Sequence, residues 1–426
     1  MRFDTLRGWL AWQESLHPQS IDLGLERSTR VYKALDPAGI KPITITVAGT
    51  NGKGSCVAYL EAMYRAQGYR VGAYTSPHIL RYNERIKING EPVPDELICE
   101  AFSRIEAVRD DTSLSYFEFG TLAALDIFRR AELDVQLLEV GLGGRLDAVN
   151  IVDPDVALIA TIGIDHVEWL GSTREAICRE KAGIFRASIP AIIGDPEPPA
   201  SLTQSIIDSQ ALPYRIGQDF GYDKSTSGWN WFFGERKIQN LPEPGLKGEH
   251  QYRNASSVIL AVVQLEQRLP ISDQSIRMGL QNVHLSGRFQ LIEGKPTVLL
   301  DVGHNPQAVR TLVEYLDTNF PGKRIHAIFS MMKDKDIAGV LEIMSPVIHD
   351  WYFAPLVNTR AASESMMREI FTQSAVSIVY FGFTGFVDAF EAAKKQSHAD
   401  DLLLVFGSFF LVSDCLFELE KGELTK

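Results

Sequence analysis

The run Ile43-Thr44-Ile45-Thr46-Val47 leads without a break into Ala48-Gly49-Thr50-Asn51-Gly52-Lys53-Gly54-Ser55, and no other stretch restricts the fold of this chain as tightly. A β-branched apolar run predicts a strand. Val57, Leu60, Met63 and Tyr64 then recur at helical spacing and predict a helix over Cys56–Gln67, stopped by Gly68. Glycines between the two let successive backbone N–H groups converge on one point, and a helix N-terminus behind them favours phosphate oxygens. Lys53 would reach a β- or γ-phosphate as a point charge. The spacing departs from the common phosphate-binding loop, because Val47 stands where its first glycine belongs and Gly54 separates Lys53 from Ser55. A tight strand-to-helix turn without a ligand is the alternative reading.

A strand over Arg70–Tyr74, ending at Thr75-Ser76-Pro77-His78, completes a strand–turn–helix–strand unit of parallel-sheet type. Asp134–Leu138, Asp155–Ile162 and Ile189–Ile193 are continuous apolar runs, as expected of strands covered by helices on both faces. Between 219 and 241, Trp229, Trp231, Phe232 and Phe233 among Gly, Ser and Lys predict short antiparallel strands capping the first domain. A Pro/Gly-rich stretch at Leu241–Gly245 precedes a helix over Asn254–Gln267. A second series follows Ser286-Gly287-Arg288, with strands at Thr297–Val302, Arg324–Phe329, Trp351–Ala354, Ser377–Phe381 and Leu402–Phe406, and helices such as Ala308–Leu316 and Phe386–Lys395 between them. The chain has 426 residues, and at roughly 150 residues per domain two domains joined near residue 287 are a natural division.

Charge narrows the partners. With 42 Lys plus Arg against 54 Asp plus Glu, the net charge is −12, which argues against duplex nucleic acid. An anionic ligand then requires a local cation or a metal ion. The longest apolar stretch, Val156–Ile164, is too short to span a bilayer, and Arg2, Asp4, Arg7 and Glu14 interrupt any secretory h-region. Cys56, Cys99, Cys178 and Cys415 form no CxxC pair, so neither a zinc ribbon nor a disulfide framework is expected. The expectation is a cytoplasmic enzyme with no membrane or nucleic-acid partner.

Ligands of open α/β sheets lie beyond the carboxyl ends of the strands. Ser76, Glu139 and His166 all fall at such ends, in the same expected domain as Lys53. A hydroxyl and a carboxylate there suit magnesium. Ser76 could equally cap the turn before Pro77, and His166 is supported by its position rather than its chemistry. Glu180-Lys181 reads, on its own, as an exposed charge pair at a helix end. Asp301-Val302-Gly303-His304-Asn305-Pro306 suits a turn or a ligand site equally well.

Taken together, these segments, with Leu138–Asp147, Asp165-His166, Glu180–Phe185 and Gly287-Arg288-Phe289, resemble the folylpolyglutamate synthases, in their bacterial form that is also a dihydrofolate synthase, within the wider Mur ligase group. The likeness runs in order from Trp9 to Gly407-Ser408-Phe409, and the shifted Gly-Lys-Gly-Ser is that family's own form. It implies an α/β chain with a P-loop-containing, parallel-sheet domain for ATP and pterin over 1–287 and a smaller Rossmann-like glutamate-ligase domain over 288–426. The implied activity is ATP-driven addition of L-glutamate to dihydropteroate and then to reduced folates, through an acyl phosphate shielded from water between two domains, with ADP and phosphate released.

The resemblance also implies roles. Thr50, Asn51, Gly52 and Lys53 would cradle the ATP phosphates, with Asn254, Arg288 and Asp301 as further nucleotide contacts. Ser76 and Glu139 would hold one magnesium ion, and Glu139 with His166 a second, helped by a carbamylated Lys181. His304 falls on the glutamate side. Ser20-Ile21-Asp22-Leu23, Ser115-Tyr116-Phe117-Glu118 and Leu146-Asp147-Ala148 would meet dihydropteroate; Tyr116 and Phe117 could face a pteridine or simply pack in the core. A monomer is expected. The alternatives are a synthase confined to folates, a Mur-type amino-acid ligase, and a nucleotide switch that ignores glutamate.

Overall fold

The computed structural model describes residues 2–19, 21–36, 41–225, 228–374, 376 and 378–422. It divides into two compact units: Met1–Gly163 with Leu170–Gly245 and Tyr252–His284, and Ile164–Trp169 with Leu246–Gln251 and Leu285–Lys426.

The first unit is built on an eight-stranded sheet. From edge to edge its strands are Glu91–Pro92, Ile86–Ile88, Val71–Tyr74, Val135–Glu139, Ile43–Ala48, Val156–Ile159, Pro190–Ile193 and Leu212–Arg215. The six from Val71–Tyr74 onward pair in parallel, and the two at the first edge are antiparallel. Ile45, Val47 and Leu138 are fully buried, and so are Thr44 and Thr46 on the central strand, as expected of a sheet covered on both faces. The helix Lys53–Gln67 ends at Gly68, whose φ of 97° suits a residue without a Cβ. Helix Asp273–Asn282 packs against it so closely that a Cβ on Gly279 would come within 2.5 Å of Met63.

Residues 219–241 form the expected antiparallel strands, Phe220–Ser225, Gly228–Phe233 and Arg236–Leu241. The strand expected over Asp155–Ile162 stops at Ile159. Thr161 leaves the ladder because its carbonyl and hydroxyl serve the glycine-rich loop, accepting from the N–H groups of Thr50 at 2.8 Å and Asn51 at 3.0 Å. The helix expected over Asn254–Gln267 runs from His250 to Gln264.

The second unit has a six-stranded sheet in the order Gln290–Ile292, Thr297–Asp301, Leu402–Phe406, Ile325–Phe329, Asp350–Phe353, Val379–Tyr380, parallel except for the first pair. Apolar cores lie on both faces, one around Phe329, Trp351 and Met367, the other around Ile328, Tyr352 and Phe390. Of the strand expected at Ser377–Phe381, Ser377 lies outside the described residues, and the ladder occupies Val379–Tyr380. Asp301 closes its strand at the carboxyl end. At the amino ends sits a buried polar group: His326 lies 3.0 Å from Asp350 and 3.1 Å from Asp401.

Candidate active site

In the first unit the loop after Ile43–Ala48 is held in shape before any ligand is considered. The Thr50 hydroxyl donates to the Gly163 carbonyl and accepts from the Gly163 N–H, both at 2.9 Å. Lys53 Nζ donates to the carbonyls of Gly49 at 3.0 Å and Thr50 at 3.3 Å. Gly52 has φ of 88°, and a Cβ there would meet Asn254 Oδ1 at 2.9 Å. Helix His250–Gln264 thus lays a buried amide, 2% exposed, directly against the loop. Thr50, Asn51, Gly52, Lys53 and Asn254 are brought together.

Glu139 ends the strand beside Ile43–Ala48 and is buried; its Oε2 accepts from the Ser76 N–H at 3.1 Å. The burial of Cys56, with the Glu139 charge nearby, pushes its thiol up to about 12, so it stays protonated. Lys181 is 3% exposed, near the end of helix Arg174–Ala182, and is therefore not the surface charge that its sequence alone suggested. The loop after Glu139 docks on that helix end. The Arg145 N–H donates to the Glu180 carbonyl at 2.8 Å, and a Cβ on Gly144 would come within 2.8 Å of that carbonyl.

The three segments expected around the pterin also converge. The Gly24 N–H donates to the Leu146 carbonyl at 3.2 Å, and Arg27 bridges Asp22 at 2.7 Å and Glu118 at 3.1 Å. Ile21 and Leu23 are half-buried nearby, whereas Ser20 lies outside the described residues. Ser115 and Glu118 form a capping box on helix Tyr116–Arg130, so both are committed to starting that helix. Phe117 packs on Gly141 and Tyr74, a core role, while Tyr116 is half-buried. Asp147 accepts from the N–H groups of Leu142 at 2.8 Å and Val149 at 3.0 Å. Burial nonetheless pushes its carboxyl up to about 6, against those bonds and the Lys53 charge; Ala148 is buried beside it.

His166 was expected in the domain of Lys53, yet the segment Ile164–Trp169 belongs to the second unit. Its neighbour Asp165 is tied to other residues of that unit. Asp165 meets Lys335 Nζ at 2.6 Å, His304 Nε2 at 3.5 Å and Asn305 Nδ2 at 3.2 Å. Burial opposes ionisation of Asp165, but the His304 hydrogen bond and the nearby His166, His304 and Lys335 hold its carboxyl far below the usual range. His166 has φ of 52°, unusual for a residue with a Cβ, and its Nε2 lies 3.2 Å from Lys335 Nζ. His304 Nδ1 faces the Val302 carbonyl at 2.8 Å, which makes it the N–H donor and turns Nε2 toward Asp165. Asp301 is buried, with its carboxyl raised by burial and opposed by Arg288, whose guanidinium lies 5.2 Å from the Phe409 ring centre. Sequence reasoning missed Lys335; nothing in the alternation Lys333-Asp334-Lys335-Asp336 singles it out. It also missed Arg27, which is visible only through its partners.

No three His, Cys, Asp or Glu side chains gather as a metal site among the described residues. The donors that the resemblance implies in the first unit are a hydroxyl on Ser76, a carboxylate on Glu139 and a carbamate on Lys181. Oxygen donors of that kind fit a hard divalent cation. No helix among the described residues is long and apolar enough to cross a membrane.

This loop, strand-end carboxylate and pair of α/β units define a class: residues 47–262 match the Mur ligase middle domain and residues 287–409 the Mur ligase glutamate ligase domain. The chain is 41% identical to the Escherichia coli dihydrofolate synthase/folylpolyglutamate synthase, over 96% of this chain and 94% of that one. A solved structure of E. coli FolC in complex with DHPP and ADP superposes with a TM-score of 0.93 at 40% identity, covering 98% of each chain. A bifunctional folylpolyglutamate synthase/dihydrofolate synthase with Mn, AMPPNP and L-glutamate bound gives 0.90 at 43% identity, again over 98% of each chain. The chain belongs to the dihydrofolate synthase/folylpolyglutamate synthase family and is an ATP-dependent ligase.

Proposed function

We propose that this ligase joins L-glutamate to dihydropteroate, giving dihydrofolate, and then to reduced folates. The observation that carries the reading is the loop Gly49–Ser55, locked by Thr161 and Gly163 and faced by the buried Asn254 amide, with Glu139 at the next strand end. A free carboxylate is a poor electrophile toward an amine. Its oxygen therefore attacks the γ-phosphorus of ATP, ADP leaves, and the glutamate amine displaces phosphate from the acyl phosphate, losing a proton as the amide forms.

Each side chain has a place in that scheme. The N–H groups of residues 50–53 receive phosphate oxygens, and Lys53 turns from the carbonyls of Gly49 and Thr50 to the γ-phosphate. Ser76 and Glu139 would hold magnesium, which when bound neutralises charge on the transferring phosphoryl group. Lys181, buried near its helix end, would carry a carbamate, formed when the amine adds carbon dioxide and releases a proton, and that anion would supply a further oxygen donor. Arg288 and Asp301 contact nucleotide, and His304 serves the glutamate. The first unit takes ATP and pterin, the second glutamate, and the chain works as a monomer.

The test is ADP release with ATP, magnesium, L-glutamate and either dihydropteroate or tetrahydrofolate, with product masses read in parallel. Turnover of both, each gaining glutamyl units and neither proceeding without glutamate, is expected. Turnover of the folate alone would reduce the enzyme to a polyglutamate synthase, and ADP release indifferent to both would overturn the reading.

A further inference from the structure

Arg85 lies at the end of the short helical turn Tyr82–Arg85 in the first unit. Its backbone is fixed, since its carbonyl accepts from the Thr75 N–H at 2.9 Å. The loop before it is fixed too: the Glu84 carboxylate accepts from the N–H groups of Ile79 and Leu80 at 2.8 Å and of Arg81 at 2.6 Å. Those bonds occupy the carboxylate of its chain neighbour Glu84. The side chain is aimed by His78, whose Nδ1 accepts from Arg85 Nε at 2.8 Å. That imidazole nitrogen is the acceptor because the guanidinium can only donate. The guanidinium carbon sits 5.6 Å from the Tyr82 ring centre and 5.7 Å from that of Tyr116, and those rings meet edge-on.

What remains is a half-buried cation whose two terminal nitrogens find no acceptor among the described residues. Arg27, Arg104 and Arg174, by contrast, each meet a carboxylate in the same unit. Arg85 also lies between two parts of the site. Tyr116 opens the helix of one pterin segment, and His78 follows Ser76, whose N–H meets Glu139.

We propose that Arg85 receives the carboxylate of the pteridine acid, its two outward N–H groups forming the planar fork that a carboxylate matches. The assignment rests on the ligase reading above and adds to it the group that orients the acid before phosphorylation. An aromatic wall and the hydrogen bond to His78 keep the fork from turning away.

The experiment is a titration of native protein, Arg85→Gln and Arg85→Lys with dihydropteroate and with its neutral carboxamide, in the presence of a non-hydrolysable ATP analogue and magnesium. Native protein should bind the acid about 10- to 100-fold more tightly than the amide, the range of a charge-assisted bond. Arg85→Gln should erase that preference by weakening the acid alone, while Arg85→Lys keeps part of it. Affinity for the ATP analogue should stay unchanged in both variants and serves as the folding control. Equal weakening of acid and amide, or no weakening of either, would overturn the assignment and leave the ligase reading standing. Failure of the native protein to bind either compound would overturn both.

Discussion

Gly52 offers a test in which two effects can be separated. Its φ of 88° costs a residue with a Cβ about 1–2 kcal/mol. A Cβ would also stand 2.9 Å from Asn254 Oδ1 and 3.3 Å from the Ala160 Cβ, so something must move. The amide is the softer neighbour, and forcing it off its rotamer costs about 0.5–1.5 kcal/mol. Gly52→Ala should therefore destabilise the first unit by about 1.5–3.5 kcal/mol. It should also weaken binding of an ATP analogue by more than about tenfold, because the amide and the loop N–H groups are displaced together. Asn254→Ala relieves the contact but not the backbone strain, so the double variant should recover about 1 kcal/mol relative to additivity. Urea unfolding followed by circular dichroism and fitted as two transitions, one per unit, gives the energies. Calorimetric titration gives the affinities. A Gly52→Ala protein within about 0.5 kcal/mol of native, or an additive cycle, would refute the geometric argument.

Lys53→Ala should cut glutamate-dependent ADP release by about 10²- to 10³-fold with the circular dichroism unchanged; near-normal release would remove Lys53 from the site. Lys181→Arg keeps the charge but cannot form a carbamate, so activity should fall to background and the labelled-bicarbonate NMR signal of the native protein should vanish. Full activity in that variant would end the carbamate reading. Burial opposes ionisation of Asp401, but the His398 N–H and the His326 ring outweigh it and hold the carboxyl below its ordinary value. Its contribution to stability is thus complete above about pH 4 and lost as the pH falls through the lower folded value. Asp401→Asn should be less stable at neutral pH and lose less on acidification, as read from urea midpoints; parallel acid profiles would refute this.

What the sequence revealed depended on how local the cause was. The strand, glycine turn and helix around Lys53 are dictated by neighbouring residues, and so is the place of Glu139 at the end of an apolar run. Asn254 is different: only the packing of its helix shows that its amide lies on Gly52. Ser115-Tyr116-Phe117-Glu118 carries its own structural explanation, since Ser followed three residues later by Glu is a capping box, yet the pattern cannot tell whether Tyr116 also faces a ligand. The allegiance of His166 was illegible. Periodicity says that a strand ends before it, but not that Lys335, far along the chain, will hold its neighbour Asp165. Arg85 went unnoticed because an arginine is informative only when its partners, or their absence, are known.

The placement of Ile164–Trp169 and Leu246–Gln251 with the second unit has a practical consequence. A fragment starting at Leu285 would contain Lys335, His304 and Asn305 but not the carboxylate they share, leaving a cluster of donors facing one another. The complementary fragment would keep Asp165 on a tether with none of those partners. Dividing this enzyme at residue 285 therefore separates a charge from its counterions, and a second-unit fragment should carry Ile164–Trp169 with it.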